Sequence, residues 1–158
     1  MQKTLLYLLM LSIGMLVFSC EKSEGPDRGG EKTAEEQALE KLTGGSNITW
    51  AVANGGSVTK DGQPVTADYA GFELQLISSS TNKTYRTTAN PVFDQSGTWS
   101  FVGGNYDKIQ LTGNQPAAGR EISFSRHEDR LTLQFNIPLP NGRTTALAGS
   151  YVFELVRK

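Results

Sequence analysis

The sequence has one cysteine and one histidine in 158 residues. A single cysteine excludes an internal disulfide framework and a zinc site of several cysteines, and a single histidine excludes the usual multi-histidine metal centres. The chain has no large excess of either charge, with 15 basic and 16 acidic residues. Nucleic-acid-binding domains usually carry a basic stripe, so no nucleic-acid partner is expected. Glycine-rich phosphate loops are also missing, and no cofactor is expected.

Long hydrophobic runs are missing too, apart from one at the start of the chain. Leu5–Phe18 is apolar except for weak interruptions and follows Lys3. As a helix this run would be about 21 Å long, which is short of the ~30 Å hydrocarbon core of a membrane. We therefore predict a secretory signal peptide over residues 1–19. The alternative, a buried core helix, would show a polar face, and this run has none.

The only cysteine follows directly after this run. Val17-Phe18-Ser19-Cys20 resembles the lipobox of bacterial lipoproteins. The resemblance implies that Cys20 takes a diacylglyceryl group, that cleavage precedes Cys20 and that the new amine is acylated, for example with palmitate. Two or three acyl chains anchor a protein firmly. The expected location is therefore the cell envelope, in the outer membrane of a two-membrane cell and on either face, and the alternative is an unmodified cysteine.

Residues 20–32 form the expected lipidated tether. The segment is polar and contains glycine and proline, which is typical of a flexible spacer. The acidic stretch over Glu21–Lys41 resembles surface-export signals of some Bacteroidetes lipoproteins, although a plain solvated tether has the same composition.

A short helix is predicted after the tether. Thr33 and Glu36 have the spacing of a capping box, and Gly44 can end the helix. Four residues share one side at helical spacing: Ala34, Ala38, Leu39 and Leu42. About three turns are too short to be stable alone, so the helix must pack on a sheet.

From Ile48 onward, apolar and polar residues alternate. The clearest example is Leu131–Ile137, with every second residue apolar. Turn sequences such as Asp61-Gly62 and Asn141-Gly142 separate about eight such runs. The second of these turns predicts a hairpin between Leu131–Leu139 and Thr144–Val156. The pattern predicts an all-β antiparallel meander in a domain over residues 33–158. A closed barrel removes the strand edges and is favoured over a two-sheet sandwich.

Glycine and aromatic spacing carries a second resemblance. Gly97-Thr98-Trp99-Ser100-Phe101, Leu131–Phe135 and Gly149–Leu155 are similar to lipocalin-like (calycin-like) lipoprotein domains of Bacteroidetes. The resemblance implies an eight-stranded barrel and a ligand-carrying role.

Catalytic patterns are weak. His127 lies in a charged predicted turn, and Glu73, Glu121 and Glu154 are single acids on strands. Since Cys20 is used for lipid and no Gly-x-Ser-x-Gly motif occurs, we expect no enzyme. Asp61-Gly62 lacks the further ligands of a calcium loop.

Aromatic residues are the best candidates for ligand contacts. Trp50 and Trp99 can line a cleft, although both alternate in phase with core residues. Tyr69, Tyr85 and Tyr106 lie near predicted strand ends and can form a rim. Nine large residues are expected to share a packed interior: Trp50, Phe72, Leu74, Trp99, Phe101, Leu133, Phe135, Tyr151 and Phe153.

The sequence thus predicts an envelope lipoprotein with a non-catalytic β domain that binds a small ligand, a glycan or an envelope partner. The alternatives are a structural subunit of an outer-membrane complex and a small hydrolase.

Overall fold

A computed structural model describes residues 31–45, 47–79, 81–88, 90–139 and 146–158. The predicted signal peptide, Cys20, most of the tether and the Asn141-Gly142 turn lie outside the described residues. Lys32–Lys158 forms one compact unit. In this described part of the chain, no helix is both long and apolar enough to cross a membrane.

The domain contains one α-helix, one 3-10 helix and ten short strands among its described residues. In chain order they are α1 (Ala34–Thr43), β1 (Asn47–Ala51), β2 (Ser57–Lys60), β3 (Gln63–Pro64), the 3-10 helix (Thr66–Tyr69), β4 (Glu73–Ser78), β5 (Lys83–Thr87), β6 (Ser96–Phe101), β7 (Lys108–Leu111), β8 (Ile122–His127), β9 (Arg130–Ile137) and β10 (Gly149–Arg157).

Eight of the strands close into an antiparallel barrel. The order around the ring is β1-β4-β5-β6-β7-β8-β9-β10, and β10 pairs back onto β1. The closing pairs are Trp50 with Arg157 and Ala51 with Val156. The predicted all-β barrel with one short helix is therefore confirmed, and the sandwich alternative is wrong.

An interruption divides the first barrel strand into β1 and β2. Both pair with β10, but residues 52–56 bulge out opposite the single residue Leu155. Gly56 is needed there, because a Cβ at this position would lie 2.6 Å from the Glu154 carbonyl oxygen. β2 then turns at Asp61-Gly62 into β3. The turn was predicted, whereas the two strands beside it were not, because their sequences do not alternate clearly.

The barrel interior is filled with large apolar side chains. Eight of the nine predicted core residues are buried, and Phe101 is partly buried against the same cluster. Phe135 lies in contact with three other rings, with centroid distances of 5.3 Å to Tyr151, 5.3 Å to Phe93 and 5.8 Å to Phe153. The prediction of a shared packed interior is confirmed for these residues.

The helix α1 begins and ends as predicted. The Thr33 hydroxyl accepts a hydrogen bond from the Glu36 amide at 3.2 Å, and the Glu36 carboxylate accepts one from the Thr33 amide at 2.7 Å. Gly44 ends the helix in the left-handed conformation. Ala38 and Leu42 are buried, whereas Ala34, which was predicted on the same face, is exposed because it lies in the first turn.

The loop between β5 and β6 closes the end of the barrel that lies away from α1. Val92 and Phe93 are buried in the core. The Asn90 side-chain oxygen holds this loop by accepting hydrogen bonds from the amides of both residues, at 2.9 and 2.7 Å. Asp94 accepts hydrogen bonds from the Asn114 and Gln115 amides, both at 2.8 Å, and so ties this loop to the β7–β8 loop.

β9 and β10 form the predicted antiparallel pair, but their pairing stops early. The last matched residues are Ile137 and Gly149, so residues 138–148 connect the strands. Sequence alternation had extended the strands to Leu139 and Thr144.

Candidate functional site

Cations lie on inward-facing positions at the α1 end of the barrel. Lys83, Arg126 and Arg157 each stand two residues from a buried inward side chain on the same strand. The partly buried rings of Phe101 and Tyr106 lie at this end as well. We call the region formed by Lys83, Arg126, Phe101 and Tyr106 the basic mouth.

Lys83 has both a charged and an aromatic environment. Its Nζ lies 3.0 Å from Glu35 Oε1 on α1. The same Nζ is 5.7 Å from the centroid of the Phe101 ring and 6.0 Å from that of Trp99. The ring faces beside this ammonium group suit an anion that carries an apolar body, and such an anion would compete with the Glu35 carboxylate for Lys83.

Arg126 connects β8 to the end of α1. Its guanidinium lies 5.3 Å from the Trp50 ring centroid and donates hydrogen bonds to the Glu40 and Lys41 carbonyls, each at 3.2 Å. A third hydrogen bond goes from Nε to the Glu128 carbonyl. Within the described residues, no carboxylate forms an ion pair with Arg126. Its charge instead faces the partial negative charge at the C-terminus of α1, where the two accepting carbonyls lie.

The aromatic part of the basic mouth is made by two neighbouring elements. The rings of Phe101 and Tyr106 meet edge to face at 5.3 Å. Phe101 also contacts Trp99 at 5.3 Å. Tyr106 holds its position with a φ of 54°, a conformation that aromatic residues rarely adopt. Such strained positions cluster at functional sites.

Two open grooves flank α1. One, of about 450 Å³, is lined by the side of the helix that faces Arg126 and Glu128. The other, of about 290 Å³, lies between the helix and Ser78 at the end of β4. A single small helix therefore leaves space on both of its flanks.

The structure places four of the five predicted ligand-contact residues in the core. Trp50, Trp99, Tyr69 and Tyr85 are buried, and Tyr106 alone is partly exposed. Trp50 and Trp99 lie directly beneath the basic mouth, in contact with its cations. The Tyr69 ring packs against Phe72 and Phe153, and the Tyr85 hydroxyl donates to the Thr112 carbonyl. Whether any of the five binds a ligand stays a prediction.

The buried phenols form hydrogen bonds inside the domain. The Tyr85 hydroxyl donates to the Thr112 carbonyl at 2.6 Å, and burial, assisted by the charge of Asp94, raises the pKa of Tyr85 to about 12. The Tyr151 hydroxyl donates to the Leu147 carbonyl at 3.0 Å. Burial also raises the pKa of Tyr69 and of Tyr151. Tyr85 and Tyr151 are therefore neutral hydrogen-bond donors at physiological pH, and Tyr69 is neutral as well.

The residues considered for catalysis lie apart from one another. His127 is exposed at the β8–β9 turn. Glu73 pairs with Lys158 at 2.6 Å, Glu121 pairs with Lys108 at 2.9 Å, and Glu154 accepts a hydrogen bond from Ser57. Among the described residues, no group of three acids, histidines or cysteines converges on one point.

Sequence reasoning missed Lys83 and Arg126. Both continue an inward alternation, since Lys83 precedes Tyr85 and Arg126 follows Phe124 by two positions. Extending the alternation of each strand by two residues would have placed a basic side chain at the next inward-facing position of both strands. Comparisons of the chain with protein-family models, with curated proteins and with solved structures found no match.

Proposed function

We propose that this protein is an acylated lipoprotein of the bacterial envelope, anchored in the outer membrane through Cys20, whose lipocalin-like barrel binds a small anionic ligand. In this proposal the ligand occupies the basic mouth and no reaction is catalysed. The signal-like run and the lipobox-like sequence before Cys20 support the anchoring.

The observation that carries the ligand class is the environment of Lys83. Its ammonium group is held between one carboxylate and the faces of Trp99 and Phe101. A cation with apolar neighbours attracts an anion more strongly than one in open solvent, because the local dielectric is lower. In such a ligand, the anionic group would contact the Lys83 ammonium group and the flat or aliphatic body would contact the neighbouring rings.

The filled interior supports a ligand position at the mouth. Stacked rings occupy the space enclosed by the strands, as Phe135 and Tyr151 show with centroids 5.3 Å apart and planes inclined by 9°. A ligand inside the barrel would have to displace such rings. Of the residues of the basic mouth, Arg126 lines an open groove of about 450 Å³ beside α1.

Isothermal titration calorimetry tests the proposal. The mature acylated protein is placed in lipid nanodiscs and titrated with 1-naphthalenesulfonate or with its uncharged analogue 1-naphthalenemethanol, with empty nanodiscs as the blank. We expect the sulfonate to bind more tightly than the alcohol. Lys83→Gln and Arg126→Gln should each weaken sulfonate binding by about fivefold, the value of one partly exposed charge contact.

Lys108→Gln is the matched control. Lys108 is a cation of the same barrel that pairs with Glu121 and faces outward. Its replacement should leave sulfonate binding unchanged. The proposal is wrong if the wild-type protein prefers the alcohol, or if Lys108→Gln weakens sulfonate binding as much as Lys83→Gln does.

A further inference from the structure

An Asn-Gly pair lies in the turn between β1 and β2. Asn54 and Gly55 are both exposed, within the segment 52–56 that bulges out opposite Leu155. Both residues have left-handed backbone conformations, with φ of 67° and 101°. Glycine adopts such conformations freely, and asparagine adopts them more readily than most residues that carry a side chain. The backbone of the turn therefore suits this pair of residues.

Few contacts hold this turn. The Gly56 amide donates a hydrogen bond to the Val52 carbonyl at 2.9 Å, and Arg130 Nη1 donates one to the Gly55 carbonyl at 3.1 Å. Within the described residues, no hydrogen bond involves the Gly55 amide or the side chain of Asn54. An exposed turn with so few hydrogen bonds opens locally at little cost in free energy, which lets the Asn54–Gly55 peptide rotate toward the Asn54 side chain.

The Gly55 amide and the Asn54 side chain can react with each other. The Gly55 main-chain nitrogen becomes a nucleophile when hydroxide removes its proton, and Cγ of Asn54 is a carbonyl carbon within its reach. Such an attack within one chain is favoured, because both groups are already held close together. A side chain on residue 55 would hinder the approach, and glycine has none.

We propose that Asn54 is a modification site, at which the folded protein loses the side-chain amide without the help of an enzyme. The Gly55 nitrogen forms a bond to Cγ of Asn54, and the bond from Cγ to the side-chain nitrogen breaks. That nitrogen leaves as ammonia, with a proton that replaces the one lost by Gly55. Water then opens the cyclic imide at either of its carbonyl carbons. The products are aspartate at residue 54 and the isomer in which the main chain passes through the side-chain carbonyl.

The position of the turn allows the folded domain to keep both products. Each product places a new carboxylate close to Arg130, which forms no ion pair within the described part of the chain. The isomer also lengthens the main chain by one carbon. This occurs where the segment 52–56 already lies opposite the single residue Leu155, so the strand pairs on either side need not shift. The modified protein therefore stays folded and accumulates.

Peptide mapping by mass spectrometry tests the proposal. The mature acylated protein in nanodiscs is incubated in mildly alkaline buffer, and samples are digested with trypsin at intervals and compared with one taken at the start. We expect the peptide that contains Asn54 to gain the mass difference between an amide and a carboxylic acid, and to separate into two isomeric products. Asn141-Gly142 lies in a different tryptic peptide and does not affect this reading.

Asn105 is the control within the same samples. It is exposed in the β6–β7 loop, but Tyr106 follows it and carries a side chain that hinders the attack. Asn54 should convert about tenfold faster than Asn105, which corresponds to about 1.4 kcal/mol in the barrier. Equal rates at the two residues would overturn the proposal. Conversion of Asn54 in concentrated urea but not in the folded protein would overturn it as well, because the fold would then protect the turn.

The variant Asn54→Asp has the structure of one product and tests whether the turn accommodates it. We expect this variant to unfold at a urea concentration no lower than that of the wild type, because Arg130 can pair with the new carboxylate. A clearly lower unfolding midpoint would show that the modified protein does not accumulate in the folded state.

Discussion

The indole Nε1 of Trp50 donates a hydrogen bond of 3.0 Å to the main-chain carbonyl of Leu42. Both side chains are fully buried. The carbonyl belongs to the last turn of α1, where helix carbonyls lack partners within the helix. The Trp50 side chain on β1 therefore supplies the donor that this carbonyl lacks, and it holds the C-terminal end of α1 on the barrel.

Trp50→Phe should destabilise the domain by about 1–3 kcal/mol, because the buried Leu42 carbonyl loses its donor. Urea unfolding of the variant and of the wild type measures the difference. Trp99→Phe is the comparison variant: it makes the same change of ring size and loses a longer bond of 3.2 Å to the Ile77 carbonyl, so it should cost less. A loss below about 0.5 kcal/mol for Trp50→Phe would show that the Leu42 carbonyl does not depend on this donor.

Phe135→Ala should cost about 3–5 kcal/mol in the free energy of unfolding, the usual value for a large core residue. Its ring contacts three other rings of the interior. Phe101→Ala, at a partly buried ring, should cost less. A loss below about 1 kcal/mol for Phe135→Ala would mean that this residue lines a cavity and does not belong to a packed core.

The barrel could be predicted because apolar and polar residues alternate within each strand, and this alternation can be read without knowing the neighbouring strands. In β9 the buried residues are Leu131, Leu133, Phe135 and Ile137, which are the apolar ones in the sequence. The capping box of α1 was equally readable, since Thr33 and Glu36 act on each other across three positions. Both signals are local.

The remaining features depend on distant parts of the chain. Val92 and Phe93 lie in a loop without alternation, and their burial follows from the barrel end that they close. The site at Lys83 depends on Glu35, which is 48 positions away. A pattern within one segment contains no information on such a pair, because only the closed ring brings α1 beside β5.

Alkaline pH should destabilise the domain through its buried tyrosines. The pKa of Tyr85 is raised from 10.0 to about 12 in the folded chain, so its contribution is fully present below pH 10. Between these two values the unfolded chain loses the proton that the folded chain keeps, and stability falls as the pH rises. The free energy of unfolding, measured by urea at a series of pH values, should fall over this interval.

Tyr85→Phe is the control for the alkaline titration. It removes the titrating hydroxyl and the hydrogen bond to the Thr112 carbonyl. The variant should therefore begin with lower stability and lose less between pH 10 and about 12. A decline as steep as that of the wild type would exclude Tyr85 as a source of the pH dependence.

Cys20→Ala should leave the protein unacylated and release most of it from membranes, because acyl chains supply the proposed anchor. Fractionation after a carbonate wash measures the attachment. Ser23→Ala, a change in the same tether that keeps the cysteine, should remain with the membrane. Retention of Cys20→Ala in washed membranes, with no membrane-bound partner co-purifying, would contradict the lipobox interpretation.

The pairing of β10 with β1 also determines when the barrel can be completed. The other neighbours in the ring are consecutive barrel strands, whereas this pair joins the two ends of the domain. Until β10 has been synthesised, β1 and β9 are bare edges whose main-chain groups are open to other chains. Ring closure is therefore a late, long-range folding step. For a chain exported as we propose, this delay favours passage through the membrane before the fold is complete.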